Sequence, residues 1–415
     1  MQPPPDSARP LEGVRVIDMT TVLMGPFATQ LLGDMGADVI KVEAPGGDNV
    51  RGIGPARHAD MGPIFLNVNR SKRSLVLDLK QAAARDALLA LLRDADILVY
   101  NVRPQAMERL GLGYDTLAAS NPRLIHAGLV GYDPRGPYAD LPAYDDLIQG
   151  AMGLAALAQR AGSEEPRYVP LTIADYFVGI SGLAAILGAL HHRERTGQGQ
   201  QLIVPMFETM AQLTLAVHLS GRTYEPPAGP AGYSRLLTPN RKPYRTKDGW
   251  ICALVYNDKQ CESFFRAVGR PELYEGDPRF ATIAGRTQHI DALYALVESL
   301  IAERTTDEWM ELLARADIPV MRMHDLDSLV DDPHLDAVGL LSEVEHPSEG
   351  TIRSIAVPAR WSRSQPSPSR PAPRLGEHSV EVLREAGLPE PTIDALLRSG
   401  ATRDPARPPE PEPGA

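Results

Sequence analysis

The chain has 415 residues, 43% hydrophobic and 23% charged, an ordinary balance for a globular protein long enough for two domains. Its formal net charge of −11 argues against nucleic acid as the main partner, because phosphate binding requires a basic surplus. Two cysteines are too few for a disulfide framework or a thiolate metal centre, and no uninterrupted apolar run approaches the roughly 20 residues of a membrane span. The first residues show no export signal. We therefore expect a cytoplasmic protein without a membrane or nucleic-acid partner.

The first 150 residues alternate between strand and helix patterns. A strand pattern at 14–18 is followed by a helix that begins near Pro26 and by a second strand pattern at 36–43. Further buried strands are indicated at 97–100 and 124–129. This alternation predicts an α/β domain with a parallel sheet, which binds ligands at the carboxyl ends of its strands. The first strand is not followed by G-x-G-x-x-G, so a dinucleotide is not indicated.

Breaker residues and changes of pattern suggest the domain boundaries. A proline- and glycine-rich stretch at 225–232 marks the start of a smaller domain, in which a hairpin turn at 247–249 precedes several amphipathic helices. The predicted organisation is a mobile arm at 1–10, a large domain at 11–223, a small α+β domain at 224–325, a return to the large domain at 326–400, and a disordered tail at 401–415.

Basic side chains recur after the strands and at the helix starts of the predicted sheet. Because the carboxyl ends of parallel strands share one edge, such residues should converge there and bind an anionic group. Taken singly, each would be interpreted as a solvated surface charge. The set consists of Arg70, Lys72, Arg73, Lys80, Arg103 and Arg109.

One carboxylate stands where an apolar run at 170–174 gives way to a helix rich in small residues. This position predicts that Asp175 is the N-cap, accepting hydrogen bonds from the first free N–H groups of the helix. The same donors could stabilise an oxyanion on an acyl group attached to Asp175. Most N-cap aspartates have no other role, so a structural and a catalytic interpretation both remain open. The histidines show no zinc-ligand spacing, and the acids that follow Tyr144 are typical of helix caps.

Short motifs run in order through almost the whole chain. They are LEGVRVID (11–18), GP (25–26), LGDMGADVIKVE (32–43), NRSKRSLVLDLK (69–80), NVRP (101–104), RLGL (109–112), GPY (136–138), Asp175, RTGQGQ (195–200) and LGEHS (375–379). This order resembles the class III CoA-transferases of the CaiB/BaiF type, the group that includes formyl-CoA and carnitine CoA-transferases and the α-methylacyl-CoA racemases. The resemblance covers about residues 11–390.

The resemblance implies a fold and a set of site residues. The fold would be a Rossmann-like, parallel-sheet large domain built from both ends of the chain, with an inserted smaller α+β domain, in an interlocked homodimer. Asp175 would be the nucleophile, and coenzyme A a substrate instead of a permanently bound cofactor, with no metal. The CoA contacts implied are Val22, Leu77, Lys80, Asn101, Val102, Arg103, Arg109, Pro142, Ala143, Tyr144 and Asp145.

The activity implied is that of an acyl-CoA:carboxylate CoA-transferase (EC 2.8.3 type), which would act through an aspartyl anhydride and an aspartyl-CoA thioester. The substrates usual in the family suggest a small dicarboxylate such as succinate as one of the two acids. Two positions depart from the family pattern. Ala44 replaces a frequent arginine, so a neighbouring Arg or Lys should substitute, and Tyr144 replaces the histidine of the racemases. A racemase, with Asp145 or Asp146 as a base, and a non-catalytic CoA-binding protein are the alternatives.

Overall fold

A computed structural model describes residues 9–406. The strands are β1 (Arg15–Met19), β2 (Asp38–Glu43), β3 (Lys72–Val76), β4 (Ile97–Tyr100), β5 (Ile125–Val130), β6 (Gln200–Pro205), β7 (Tyr244–Arg245), β8 (Trp250–Ala253), β9 (Val320–Arg322), β10 (Leu341–His346) and β11 (Gly350–Ile355). The helices are α1 (Met24–Asp34), α2 (Pro63–Val68), α3 (Ala82–Leu92), α4 (Pro104–Arg109), α5 (Tyr114–Ser120), α6 (Asp145–Ala151), α7 (Leu154–Arg160), α8 (Ile173–Thr196), α9 (Met206–His218), α10 (Asp258–Ala267), α11 (Glu272–Glu275), α12 (Ile283–Gln288), α13 (Ile290–Ile301), α14 (Thr306–Arg315), α15 (Leu326–Val330), α16 (Pro333–Ala337), α17 (Ser379–Glu385) and α18 (Glu390–Arg398).

Strands β1 to β6 form one parallel sheet in the order β3-β2-β1-β4-β5-β6. All residues of β4 and β5 are buried, as expected for strands covered by helices on both faces. The order reverses between β1 and β4, and such a switch point opens a crevice at the carboxyl ends of the strands. The predicted α/β class and its parallel sheet are confirmed.

Helix α8 packs closely on α1 and on the sheet through its glycines. A Cβ atom at Gly179 would lie 2.6 Å from the backbone oxygen of Met24 in α1, and one at Gly182 would lie 2.9 Å from the side chain of Leu129 in β5. A larger residue at either position would push the helix away from its neighbours. The small residues noted in the sequence therefore place the start of α8 beside the start of α1.

Helix α8 is also long and apolar enough, by length and composition alone, to cross a membrane. The sequence analysis missed this feature because glycines and alanines interrupt the strongly apolar residues. Its contacts with α1, β5 and β6 give a sufficient reason for the apolar composition, since a helix packed against a sheet buries its apolar side chains. A core helix can meet the same criteria of length and hydropathy as a membrane span, so these two properties of α8 are weak evidence for a membrane.

The C-terminal region completes the core around the large sheet. Val382 and Leu383 of α17 and Ile393 and Leu396 of α18 are buried in the same cluster as Ile17 of β1. This cluster buries the apolar faces of α17 and α18.

The predicted disordered tail, 401–415, is wrong at its first residues. Ala401 and Thr402 are buried, and the hydroxyl of Thr402 donates a hydrogen bond to the backbone oxygen of Val76 at 2.7 Å. These contacts tie the chain to the edge strand β3. The rest of the predicted tail from 407, and the predicted arm up to residue 8, lie outside the described residues.

The described residues divide into two compact units. The first contains 9–148, 171–211 and 334–406, and therefore the six-stranded sheet. The second contains 149–170 and 212–333. The predicted small domain, 224–325, falls within the longer of these segments, whereas 149–170 was predicted as part of the large domain. In the second unit, β7, β8 and β9 form an antiparallel sheet, and the turn predicted at 247–249 joins β7 to β8. Its core contains Phe264 of α10 and Trp309 of α14, whose rings stack with centroids 6.3 Å apart.

Candidate functional site

The loops that follow β1 and β4 meet at the switch point of the sheet. The side-chain amide of Asn101, directly after β4, donates to the backbone oxygen of Thr21 at 2.8 Å and accepts from the backbone N–H of Thr21 at 3.1 Å. These two hydrogen bonds join the loop after β4 to the loop after β1 across the crevice. Val22, the next residue, has a φ of 71°, a left-handed conformation that is strained for a β-branched residue.

A cavity of about 290 Å³ opens beside this junction, in the first unit. It brings together six of the predicted CoA contacts, which come from the β4–α4 loop and from the segment before α6: Asn101, Val102, Arg103, Pro142, Ala143 and Tyr144. Tyr132 and Leu141 also line it. Of the segment 131–142, only Pro142 was predicted as a contact, because nothing local in the sequence shows that this segment folds against the end of β4.

The other five predicted contacts, Val22, Leu77, Lys80, Arg109 and Asp145, do not line the cavity. Leu77 is buried in the core, so only its backbone can reach a ligand. Lys80 is exposed in the turn after β3. Strand β3 lies three strands from β4 in the sheet, so the two strands are about 14 Å apart. Arg109 is exposed at the end of α4, and Asp145 contacts the start of α8. An extended ligand is needed to touch both Lys80 and Arg103.

Three members of the predicted basic set hold the fold together and do not face a ligand. Lys72 is fully buried and lies 3.0 Å from Asp18, and Arg73 and Arg70 pair with acids. Burial lowers the pKa of Lys72 to about 8 against the opposing attraction of Asp18. The prediction of a six-residue anion site is therefore wrong for Arg70, Lys72 and Arg73. Lys80, Arg103 and Arg109 are the exposed members.

The basic residues nearest to Ala44 are also engaged. Lys41 lies 2.9 Å from Asp48, and Arg51 lies 2.7 Å from Glu43, with all four side chains buried. A neighbouring basic residue was expected to replace the arginine that the family often carries at the position of Ala44. Lys41 and Arg51 cannot do so, because both are buried in ion pairs.

Asp175 lies in the first turn of α8, but it is not the N-cap. The helix begins at Ile173 and the N-cap is Thr172, whose side chain makes no capping hydrogen bond. The apolar run at 170–174 contains no strand, since residues 170–171 form a bend and the helix has begun by residue 173. The N-cap prediction was wrong by three positions, because the apolar run before Asp175 already includes the first helical residues.

Asp145 supplies the missing cap from another part of the chain. Its Oδ2 accepts hydrogen bonds from the backbone N–H groups of Ala174 at 2.7 Å and of Asp175 at 3.1 Å. Within the described chain, no hydrogen-bond donor reaches the Asp175 carboxylate itself. Burial, and then the negative charge of Asp145, raise the pKa of Asp175 to about 7. A carboxylate desolvated in this way is a stronger nucleophile than one in water.

The donors expected to stabilise an oxyanion are already occupied. The N–H of Ile173 donates to Leu171 and that of Tyr176 to Thr172, while Asp145 takes the two between them. The prediction that the first N–H groups of α8 stabilise an oxyanion on Asp175 is therefore wrong for this arrangement. Among residues 9–406 no cluster of three or more His, Cys, Asp or Glu could hold a metal ion.

Aromatic rings pack beside the start of α8. Tyr176 meets Phe27 of α1 edge to face, with centroids 4.8 Å apart. Both rings are partly buried and contribute to the low-polarity surroundings of Asp175. The site thus combines one desolvated carboxylate with a cavity at the switch point of a parallel sheet, the place where open α/β sheets bind ligands.

Comparison with known proteins specifies the class further. The model of CoA-transferase family III matches residues 11–379. An acyl-CoA transferase from Fusarium pseudograminearum is 35% identical over 94% of this chain and 88% of its own length. A succinate–glutarate CoA-transferase from Agrobacterium fabrum is 32% identical over 92% of this chain and 96% of its own. The crystal structure of Rv3272 from Mycobacterium tuberculosis matches with a TM-score of 0.79 and 33% identity, over 90% of this chain and 99% of that one.

The chain belongs to CoA-transferase family III. The class III resemblance that the motifs indicated is thereby confirmed, and the names of the family and of these relatives indicate an acyl-CoA:carboxylate CoA-transferase.

Proposed function

We propose that this protein transfers CoA from an acyl-CoA thioester to a carboxylic acid, with Asp175 as the nucleophile. The observation that carries the proposal is the Asp175 carboxylate, which is desolvated, receives no hydrogen bond from the described residues, and has a pKa raised to about 7. A carboxylate whose role was only to cap a helix would instead accept N–H bonds, and here Asp145 does so.

The proposed reaction consists of paired acyl transfers. A carboxylate oxygen of Asp175 attacks the thioester carbonyl, the C–S bond breaks, and CoA thiolate leaves a mixed anhydride. The thiolate then attacks the aspartyl carbonyl and displaces the donor acid, so Asp175 holds CoA as a thioester. The acceptor carboxylate attacks this thioester to form a second anhydride, from which the thiolate takes the acceptor acyl group. Each step replaces one difficult exchange between unreactive carboxylates by an easier acyl transfer.

The cavity at the switch point would hold part of the CoA molecule. The exposed guanidinium of Arg103 stands at its wall and can pair with a phosphate, and Lys80 and Arg109 can extend the contact. Binding energy from the nucleotide, remote from the thioester, would then position the reacting carbonyl against Asp175.

The racemase alternative loses support from the position of Asp145. Its Oδ2 accepts hydrogen bonds from two backbone N–H groups at the start of α8, so this oxygen is engaged in capping the helix. Tyr144, in the position of the racemase histidine, is 66% exposed. A transferase needs neither group as a proton carrier.

We propose a small dicarboxylate such as succinate as one of the two acids. Similarity to the succinate–glutarate CoA-transferase supports this choice. The test is a matrix of acyl-CoA donors and acid acceptors, with products measured by liquid chromatography and mass spectrometry. Exchange of CoA from succinyl-CoA to a second acid supports the proposal, and exchange restricted to monocarboxylates overturns the choice of acid.

A second assay separates the alternatives. Incubation in deuterium oxide with a 2-methylacyl-CoA reports proton exchange at the α-carbon. Deuterium incorporation without CoA exchange would identify a racemase, and CoA binding without either reaction would identify a non-catalytic binding protein. The interlocked homodimer also remains a proposal, and the mass of the native protein measured by light scattering tests the dimer.

A further inference from the structure

In the loop between β1 and α1, every polar backbone group from the N–H of Thr20 to the N–H of Val22 forms a hydrogen bond with a side chain. Asp18 accepts from the Thr20 N–H at 2.9 Å, and the Lys41 ammonium donates to the Thr20 oxygen at 2.8 Å. Asn101 bonds both polar groups of Thr21, as described above. No polar backbone group in this stretch depends on a neighbouring backbone group for a hydrogen bond.

Asp48 holds the strained residue. The backbone N–H of Val22 lies 3.1 Å from Oδ1 and 3.2 Å from Oδ2 of Asp48, which is 2% exposed. The same carboxylate accepts from Lys41 at 2.9 Å. A buried charge pair thus fixes the N–H of a β-branched residue whose φ of 71° would otherwise relax toward the ordinary region.

A left-handed conformation at a non-glycine residue persists only where surrounding contacts enforce it, and such residues gather at ligand sites. Val22 lies at the switch point of the sheet, one residue from the bond that joins the β1 and β4 loops. The side chain of Val22 packs on the Val50 and Phe65 cluster, so a ligand at the crevice meets the loop backbone instead of this side chain.

We infer that the buried Lys41–Asp48 pair is a positioning device, which holds the loop 20–22 in its CoA-binding conformation before CoA arrives. This inference rests on the proposed use of the switch-point crevice by CoA. Asp48 does not contact the ligand. It acts through the N–H of Val22, and Lys41 acts through Asp48 and through the oxygen of Thr20.

The test compares two acid-to-amide variants, one beyond the carboxyl ends of the strands and one at their amino ends. Asp48→Asn removes the charge that pairs with Lys41. Asp96→Asn removes the charge that pairs with Arg193, at 2.8 Å, before the start of β4. Isothermal titration with CoA and thermal unfolding are measured for both. We expect Asp48→Asn to weaken CoA binding about tenfold, the equivalent of about 1.4 kcal/mol of conformational strain. Asp96→Asn should lower the melting temperature and leave the CoA affinity unchanged.

A double-mutant cycle identifies the strain as the cause. Glycine adopts positive φ without cost, so Asp48→Asn should weaken CoA binding less in a Val22→Gly background than in the wild type. An equal effect in both backgrounds, or an Asp48→Asn variant that loses stability but keeps its CoA affinity, would overturn the inference. Wild-type protein that binds no CoA would instead refute the proposed function.

Hydrogen exchange of the wild type needs no variant to fold. If the loop is held in advance, the amides of residues 20–22 are protected without CoA, and CoA adds little protection. Amides that exchange freely until CoA is added would contradict the inference.

Discussion

Asp145 accepts a hydrogen bond from the backbone N–H of Asp175 at 3.1 Å, so the residue that caps α8 is also the acid whose charge, after burial, raises the pKa of the proposed nucleophile. The two roles of Asp145 affect the helix and the nucleophile differently. Capping stabilises the helix start, whereas the charge disfavours ionisation of Asp175. The structure therefore combines a rigid helix start with a reactive carboxylate, and the predictions below depend on this combination.

Asp175→Asn should make the protein more stable at alkaline pH. The pKa of Asp175 is about 7 in the folded protein and near 3.8 in the unfolded chain. Between these values the folded form binds a proton that the unfolded form has released, so wild-type stability falls as pH rises, by at most about 1.4 kcal/mol per pH unit. Solvent screening of this partly exposed group reduces that figure. Asparagine does not titrate, so the melting temperatures of the wild type and the variant should diverge between about pH 4 and pH 7. A difference that is constant with pH would contradict this.

The rate of the first acyl transfer should rise with pH and level off above about 7, because the attacking carboxylate must be ionised. Asp145→Asn removes the second cause of the raised pKa and should shift the midpoint to lower pH. Burial, the larger cause, keeps the midpoint above that of an exposed aspartate. Single-turnover rates measured across the pH range test this shift.

The matched control is Asp146→Asn, which changes an exposed neighbouring acid. Its midpoint should equal that of the wild type. If both variants shift the profile equally, the net charge of the protein, and not the contact between Asp145 and the start of α8, determines the pKa.

Arg103→Ala should weaken CoA binding about fivefold, equivalent to about 1 kcal/mol, without changing the melting temperature. Arg103 is exposed at the wall of the switch-point cavity, where its charge can pair with a phosphate. The effect should shrink as salt is added. Arg123→Ala, an exposed change before the start of β5 at the opposite edge of the sheet, is the control. Equal weakening by both variants would show that Arg103 makes no specific contact.

Gly179→Ala should destabilise the protein by about 1 to 3 kcal/mol, because its Cβ would lie 2.6 Å from the backbone oxygen of Met24. The displaced helix would also misplace Asp175, one turn earlier, so turnover should fall. On the same helix, a Cβ at Gly188 meets no atom within 4 Å. Gly188→Ala should therefore raise stability by about 0.5 to 1 kcal/mol and leave turnover unchanged. Urea unfolding measures both, and similar losses in the two variants would be inconsistent with the packing described.

Four strands of the large sheet, β1, β2, β4 and β5, could be predicted from the sequence because their signals are local. Ile97–Tyr100 was predicted with the bounds it has, since a short apolar run between breakers is typical of a buried parallel strand. Asp175 was also placed correctly at a helix start. The cap was not, because the capping carboxylate, Asp145, lies 30 residues away in the chain.

The basic residues show why site prediction stopped short. Lys72 and Arg103 have the same local appearance, a cation beside a strand. Only the pairing of strands shows that Asp18 lies against Lys72, whereas the β4–α4 loop leaves Arg103 exposed. Contacts between distant segments, which no local pattern contains, decide which cations are available to a ligand.

The proposed mechanism requires that CoA become covalently attached to Asp175. Intact-protein mass spectrometry after mixing with acyl-CoA thioesters, without acceptor, detects this attachment. We expect an increase in mass that corresponds to CoA bound as a thioester, mapped to Asp175, removed by hydroxylamine and absent in Asp175→Asn. An adduct that persists in Asp175→Asn, or CoA exchange between acids with no covalent adduct in the wild type, would contradict it.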